Sequence, residues 1–377
     1  MKDIFDYLGE DLDGADKELI DRAVATLYSN IIPACESGVF GKNRGIMPSP
    51  STYKGVWNWD SAFHLLAMSY LDKDIAQEQA KIMFENMRED GMLPDVIFNN
   101  GKKVFKFTKP PVYASCIAGG DRISPDTDFL NYCYPYLVRN LKWWEECRYD
   151  GVLFGYKVNG MESGWDDSVR FVLPNRIKNI YPVDCNCYMA DFYKSMSYIA
   201  QRLDKKEDAE YYDKKSDVLG QKIEDMLFDK ERGFYVDYDK KRKRFIKQKS
   251  IAGFMPLYIG TATAEHAESC IEYARQKEGF YPLMPTLSYD DKSFKANGYW
   301  NGPCWLNTAY FALKGIYEYG AEELAFDICQ NILDMAIKEK QSIFERYDSK
   351  TGKGLGARDF GWSASFIILL EKLKYNK

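Results

Sequence analysis

Apolar residues recur at helical spacing along nearly the whole chain. Ile20, Val24, Leu27 and Ile31 lie in steps of three and four, and so do Cys133, Leu137, Leu141 and Trp144. Leu324, Ile328, Ile332 and Met335 form a third such stripe. Residues three or four apart share one face of an α-helix, so each stripe predicts a helix with one side turned to a core. Similar patterns cover 60–72, 74–88, 110–119, 184–203, 206–228, 250–260, 262–277, 303–318 and 360–373, about twelve helices in all. Only Val152–Tyr156 and Gly233–Tyr238 read as short β-ribbons. Strands and helices do not alternate, which excludes a parallel-sheet fold.

The connections alternate in character. Some are short and polar, such as Asp72-Lys73-Asp74 and Leu203-Asp204-Lys205. Others, at 36–59, 89–109, 149–183, 279–302 and 341–361, are long and rich in Gly, Pro, Trp and acids. Twelve antiparallel helices joined this way can close into a double ring of six inner and six outer helices, an (α/α)6 barrel. All long loops then meet at one mouth, where function is usually carried. No linker composition divides the chain, so one domain is expected over residues 1–377.

Composition narrows the chemistry. Only two histidines are present, His64 and His266, which removes most metal-centred and histidine-triad mechanisms. No metal or cofactor is expected. A net charge of −5 argues against a nucleic-acid partner. No apolar run approaches the length of a membrane span, and Met1–Asp13 lacks a signal-peptide pattern, which points to a cytoplasmic protein. The 9 cysteines are irregularly spaced and read as reduced, mostly buried thiols. Aromatic residues reach 15%, and their flat faces serve equally for core packing and for stacking on sugar rings.

Four constellations stand in the long loops. Glu162-Ser163-Gly164-Trp165-Asp166-Asp167 sets carboxylates around a Trp, and an Asp held against an aromatic wall keeps its proton for use as a general acid. Phe344-Glu345-Arg346-Tyr347-Asp348 sets a Glu beside a cation that favours its ionised, basic form. Trp57-Asn58-Trp59-Asp60 enters a helix with Asp60 as either an N-cap or a sugar ligand between Trp walls. Tyr299-Trp300-Asn301-Gly302-Pro303-Cys304-Trp305 has the same aromatic and polar mixture. Taken singly, the acid loop and the Glu-Arg pair read equally well as a solvated turn and a surface ion pair.

These segments, ESGWDDS at 162–168, WNWDSAF at 57–63, YWNGPCW at 299–305 and FERYDSKTGKGLG through FGWSAS at 344–365, resemble the signatures of glycoside hydrolase family 63 and of the related trehalases. Met47-Pro48-Ser49-Pro50, Asp90-Gly91-Met92-Leu93-Pro94 and Lys109-Pro110-Pro111 extend the likeness. The resemblance implies an (α/α)6 barrel that hydrolyses an α-linked glucoside or mannoside with inversion. Asp166 falls on the general acid and Glu345 on the general base, in a geometry that sets the two carboxyls roughly 6.5–9.5 Å apart. Trp59 and Asp60 are expected to line the non-reducing sugar subsite, Trp300 and Trp305 to shape it, and Trp362 to close it. Trp57, Glu162, Gly164, Trp165, Asn301 and Tyr347 are expected in the same substrate-binding surface. Glu162 and Asp167 are alternatives for the acid, read as supporting groups.

Asn301 stands where many relatives have Arg. The chain is also short for the family and resembles its compact bacterial branch, whose members include hydrolases of mannosylglycerate and glucosylglycerate. Arg44, Lys106, Lys109 and Arg358 are the candidate partners for such a carboxylate. Two rivals use the same barrel differently. A non-catalytic sugar-binding protein needs the aromatic walls but not the acids, and both acids are present. A sugar epimerase usually needs a histidine pair in the mouth. Here His64 lies on a predicted core helix and His266 on a charged, solvated helix face.

Overall fold

The computed structural model describes residues 12, 14–172 and 176–375. Apart from Leu12, the N-terminal stretch read for a leader lies outside the described residues. The helices, in chain order, are α1 (Gly14–Ser29), α2 (Asn58–Leu71), α3 (Lys73–Glu85), α4 (Tyr113–Ile123), α5 (Thr127–Arg148) and α6 (Val183–Arg202). They continue with α7 (Lys206–Leu227), α8 (Met255–Tyr258), α9 (Ala264–Arg275), α10 (Leu306–Glu318), α11 (Glu322–Lys338) and α12 (Gly361–Tyr375).

The even-numbered helices form a closed ring. α2 packs on α4, α4 on α6, α6 on α8, α8 on α10, α10 on α12, and α12 returns to α2. The odd-numbered helices form the outer layer. Residue burial explains the division. α6 is buried on almost every face, from Val183 through Ala200, as a helix enclosed by neighbours must be. α11 buries one stripe, Leu324, Ile328, Ile332 and Met335, and turns its other faces outward. This is an (α/α)6 barrel, and its buried apolar side chains form one continuous cluster. No described helix is long and apolar enough to cross a membrane.

Each inner helix is followed by a short connection and each outer helix by a long one. Asp72 alone separates α2 from α3, and its carboxylate accepts from the backbone N–H of Asp74 and Ile75. That cap starts a helix with no room for a loop. Asp72→Ala is expected to lower stability by about 1 kcal/mol in urea unfolding; an unchanged midpoint would remove the cap from this role. The long segments, 30–57, 86–112, 149–182, 228–250, 276–305 and 339–360, all lead into inner-helix N-termini and so share one mouth.

Several local expectations change. Ile31 leaves the first helix for a two-residue strand paired with Gly45–Ile46. The stretch 250–260 is a 3-10 turn, Ile251–Phe254, running into the single turn of α8. A sixth long connection, 228–250, joins the five read from composition. Within the loops, Gly55–Trp57, Val96–Phe98 and Lys103–Val104 form a small antiparallel sheet, and Phe344–Tyr347 pairs with Gly354–Arg358. All 9 cysteines are free; Cys35 is exposed, Cys147 half-buried and the rest buried.

Candidate active site

Five of the long connections bring side chains to one cavity of about 300 Å³. Tyr53 and Trp57 come from the first, with Trp59 and Asp60 from the first turn of α2 that follows it, and Asp95, Val96, Phe98, Val104, Phe107 and Lys109 from the second. Met161, Gly164 and Asp166 come from the third, Tyr299 and Trp300 from the fifth, and Glu345 and Phe360 from the last, with Trp362 from the first turn of α12 that follows it. The volume suits a small ligand, and aromatic walls with a few convergent polar groups are what such pockets need.

Glu345 stands on the strand Phe344–Tyr347 and is only 4% exposed. Its Oε1 accepts from Tyr53 Oη at 3.0 Å and from Tyr299 Oη at 3.2 Å. Its Oε2 accepts from Arg346 Nη1 at 3.0 Å and from the Ala357 N–H at 3.3 Å. Four donors on one carboxylate are all satisfied only when it acts as an acceptor. The side chain has room because Gly356 faces it in the left-handed region, at φ +79°. A Cβ there would collide with Glu345 Oε2.

Asp166 is set differently. Its Oδ1 is buried and has no hydrogen-bond partner among the described residues. Burial raises its pKa above the ordinary carboxylate range; Lys109 pulls it down and Asp167 pushes it up. The neutral, proton-bearing form is thereby favoured. Its loop is pinned from behind. Glu162 is wholly buried, paired with Arg148, and accepts from the N–H of Lys157 at 2.6 Å and of Val158 at 2.9 Å. Asp167 Oδ1 accepts from the Trp300 N–H at 2.8 Å.

Two further acidic groups, Asp60 and Asp95, line the cavity. Asp60 is in the first turn of α2, but Trp57 holds the cap position, so Asp60 is not the N-cap. Burial lifts its pKa to about 8 against the pull of Lys109. Asp95 is lifted by burial to about 6, again with Lys109 opposing. Lys109 Nζ lies 3.7 Å from Asp95 Oδ1 and donates to the Met161 carbonyl at 2.8 Å. Among the described residues it is the one Lys or Arg in the lining.

A model of mannosylglycerate hydrolase MGH1-like glycoside hydrolase domains matches residues 53–363, which hold every group just described. The chain belongs to glycoside hydrolase family 63. It is similar to the mannosylglycerate hydrolase of Thermus thermophilus, 25% identical over 85% of this chain and 95% of that protein. Two crystal structures of a family 63 mannosylglycerate hydrolase from Thermus thermophilus share the fold. The one with glucose has a TM-score of 0.80 at 24% identity, covering 93% of this chain and 99% of that one. The one with Tris and D-glycerate has a TM-score of 0.79 at 23% identity with the same coverage.

Against this family 63 barrel, the residues singled out from sequence divide into wall and backing. Asp166, Glu345, Trp57, Trp59, Asp60, Gly164, Trp300 and Trp362 line the cavity. Glu162, Trp165, Asn301, Trp305 and Tyr347 do not. Trp165 stacks on Trp300 at 5.2 Å and 15°, and Trp305 stacks on Trp300 at 3.8 Å and 8°. These rings hold the wall from behind. Tyr347 is fully buried and its hydroxyl accepts from the Phe344 N–H at 3.2 Å. Asn301 is a backbone clamp: Oδ1 accepts from the Val169 N–H at 2.7 Å, and Nδ2 donates to the Asp167 carbonyl at 2.9 Å. An Arg has no acceptor for the first of these bonds.

Of the four cations weighed for a substrate carboxylate, only Lys109 reaches the cavity. Arg44 is bound to Glu78 on α3, Lys106 is exposed, and Arg358 is exposed and donates to Gln341. His64 is wholly buried, and burial lowers its pKa to about 3, a core histidine. His266 is not on a solvated face. It stacks on Phe228 at 3.5 Å and pairs with the buried Glu224. Tyr53, Asp95 and Tyr299 were not singled out from sequence. Tyr299 sits inside a quoted motif, and Asp95 follows the Asp90–Pro94 motif directly.

Proposed function

We propose that this family 63 glycosidase inverts the anomeric carbon of a small α-glycoside, with Asp166 as general acid and Glu345 as general base. The observation that carries the assignment is the contrast between the two carboxyls on one cavity. Asp166 Oδ1 has no hydrogen-bond partner among the described residues, and burial favours the protonated form. Glu345 is fixed by four donors, ready to take a proton from water. Two carboxyls set in such different hydrogen-bonding environments suit opposite roles in acid–base chemistry. Asp166 hands its proton to the leaving oxygen while Glu345 deprotonates a water on the opposite face of the sugar. Trp59, Trp300 and Trp362 form the apolar walls for the sugar, and Asp60 and Asp95 meet its hydroxyls.

The test is hydrolysis of trehalose, kojibiose, nigerose, glucosylglycerate and mannosylglycerate followed by NMR. Initial release of the β-anomer is expected. Release of the glycone first as the α-anomer, which for trehalose means α-glucose without β-glucose, would assign a retaining route and overturn both roles.

A carboxylate-bearing aglycone is favoured by one further observation, the presence of Lys109 in the lining. Lys109→Met is expected to raise KM for glucosylglycerate or mannosylglycerate at least about tenfold, one unit charge pair being worth a few kcal/mol near a protein surface. KM for a neutral disaccharide should change little. The same variant removes the cation that opposes the upward shift of Asp166, so the alkaline limb of kcat/KM should move to higher pH. Equal KM changes on both substrate types would assign Lys109 to loop positioning alone.

A further inference from the structure

A second cavity, of about 240 Å³, has a lining separate from that of the sugar pocket. It is lined by Arg176, Asp239, Arg242, Arg244, Phe245, Ile246, Lys247 and Gln248. None of these residues lines the catalytic cavity. Most of them belong to a hairpin in which Tyr238–Asp239 pairs with Arg244–Phe245. The hairpin is strongly basic in an acidic chain: Lys240, Lys241, Arg242, Lys243, Arg244, Lys247 and Lys249 fall within ten residues, while the whole chain carries −5.

The nearby acids are already taken. Arg170 binds Asp184 at 2.6 Å and Asp237 at 2.7 Å, both deeply buried. Arg242 binds Asp239 at 2.8 Å. Among the described residues, Arg176, Arg244 and Lys247 form no ion pair within 4.0 Å, so the one carboxylate of the lining, Asp239, already paired with Arg242, faces three further cations. Two polar atoms of residues that line it also lack partners. Arg176 Nε and Gln248 Oε1 are buried and have no hydrogen-bond partner among the described residues. Buried polar atoms of this kind are rare in native proteins and call for an occupant. Burial holds the Arg176 guanidinium below its ordinary value, Asp237 and Asp239 pull it back up, and Arg242 and Arg244 push it down further. An anion between these groups would relieve the repulsion.

We propose that this cavity binds a small oxyanion with phosphate or phosphate-monoester chemistry. Arg176 and Arg244 supply forked, charge-assisted donors, which suit tetrahedral oxyanions better than a point charge does. Lys247 adds a third charge. The Gln248 amide meets either an oxyanion oxygen or a ligand hydroxyl, depending on which way the group is turned. Phe245 and Ile246 give the cavity an apolar wall for the organic part of a monoester. Arg242, Arg244 and Lys247 are exposed like Lys241 and Lys243, but only the first three line the cavity, so a small ligand seated there depends on them while a polyanion would engage Lys241 and Lys243 as well. The site also touches the acid loop, because Arg176 Nη1 donates to the Val169 carbonyl at 3.1 Å.

The test is calorimetric titration of the full chain with inorganic phosphate and, separately, with glycerol phosphate in low-chloride buffer. Saturable binding at one site is expected, weakened at least about tenfold by Arg176→Gln and several-fold by Arg244→Gln. The Lys241→Gln, Lys243→Gln double variant should bind within about twofold of the parent. Equal affinity for the two ligands would identify free phosphate as the recognised group, and tighter monoester binding would bring in the apolar wall. Because Arg176 also holds the acid loop, Arg244→Gln and Lys247→Gln carry the test where Arg176→Gln does not fold. Absence of saturable binding, or binding lost in the tip double variant and kept in the cavity variants, would overturn the proposal. The readout is binding, so the result stands apart from the sugar chemistry.

Discussion

Asp166→Asn is expected to lower kcat on an α-glycoside with a sugar or glycerate leaving group by about 10²–10⁴-fold, the usual worth of a positioned general acid. The same variant should keep most of its activity on an α-glycosyl fluoride, because fluoride departs without being protonated. Glu345→Gln should lose comparable activity on both substrates, since water must be deprotonated whatever the leaving group. The asymmetry follows from the geometry. Asp166 has an unpartnered buried oxygen and a raised pKa, so its proton is the thing it offers. Glu345 is held by Tyr53, Tyr299, Arg346 and the Ala357 N–H, donors that only its acceptor form satisfies, and the water that it deprotonates takes the place of one tyrosine hydroxyl. The pH profile carries the same sign. An acid works only while protonated, so kcat/KM on poor leaving groups should fall as pH rises through the Asp166 pKa, which burial has moved upward. Retention of disaccharide hydrolysis by Asp166→Asn, or rescue of Glu345→Gln by the fluoride, would reverse or remove the two assignments. Circular dichroism of both variants should match the parent, because neither substitution changes side-chain volume by more than an atom.

The barrel was legible because its signals are local. Inner and outer helices both run in steps of three and four, and the Gly-, Pro- and Trp-rich connections between them alternate with short polar ones. The sixth connection, 228–250, showed only its ribbon at Gly233–Tyr238 and not its place among the long loops, because its composition is basic and lacks Trp and Pro. Strands of two or three residues are too short to show alternation, so the sheet of Gly55–Trp57, Val96–Phe98 and Lys103–Val104 left no trace in the pattern. The site was legible to the extent that its groups sit in motifs. Tyr53 has no such motif, and its partner Glu345 is 292 residues away. Aromatic residues show the other limit. Trp300 and Trp305 lie in one short motif, yet one faces the cavity and the other lies behind it. Composition and spacing mark both as aromatic; only the direction of the chain through the loop separates wall from backing.

Trp305→Ala is expected to lower stability by about 3–5 kcal/mol in urea unfolding, the range for deleting a large buried aromatic. Trp305 is 0% exposed and stacks face to face on Trp300, with Trp362 5.5 Å away at 60° and Tyr299 5.3 Å away at 66°. Loss of the indole leaves a void behind three rings that border the sugar pocket. It also removes the Nε1–H donated to the Tyr299 carbonyl at 2.8 Å, leaving that oxygen without its partner. Tyr299 is one of the two tyrosines that donate to Glu345, so slack in the stack reaches the base directly. Activity should therefore fall together with stability, and the fall should persist at temperatures where the variant is fully folded. Trp305→Phe separates the two contributions. It keeps most of the stacking surface and lacks the N–H, so it should recover more than half of the lost stability but less of the lost kcat. A destabilisation of Trp305→Ala below about 1 kcal/mol, under the range for a buried aromatic, would show that the wall stands without the ring behind it. Full activity in Trp305→Phe would show that Tyr299 is positioned by packing alone.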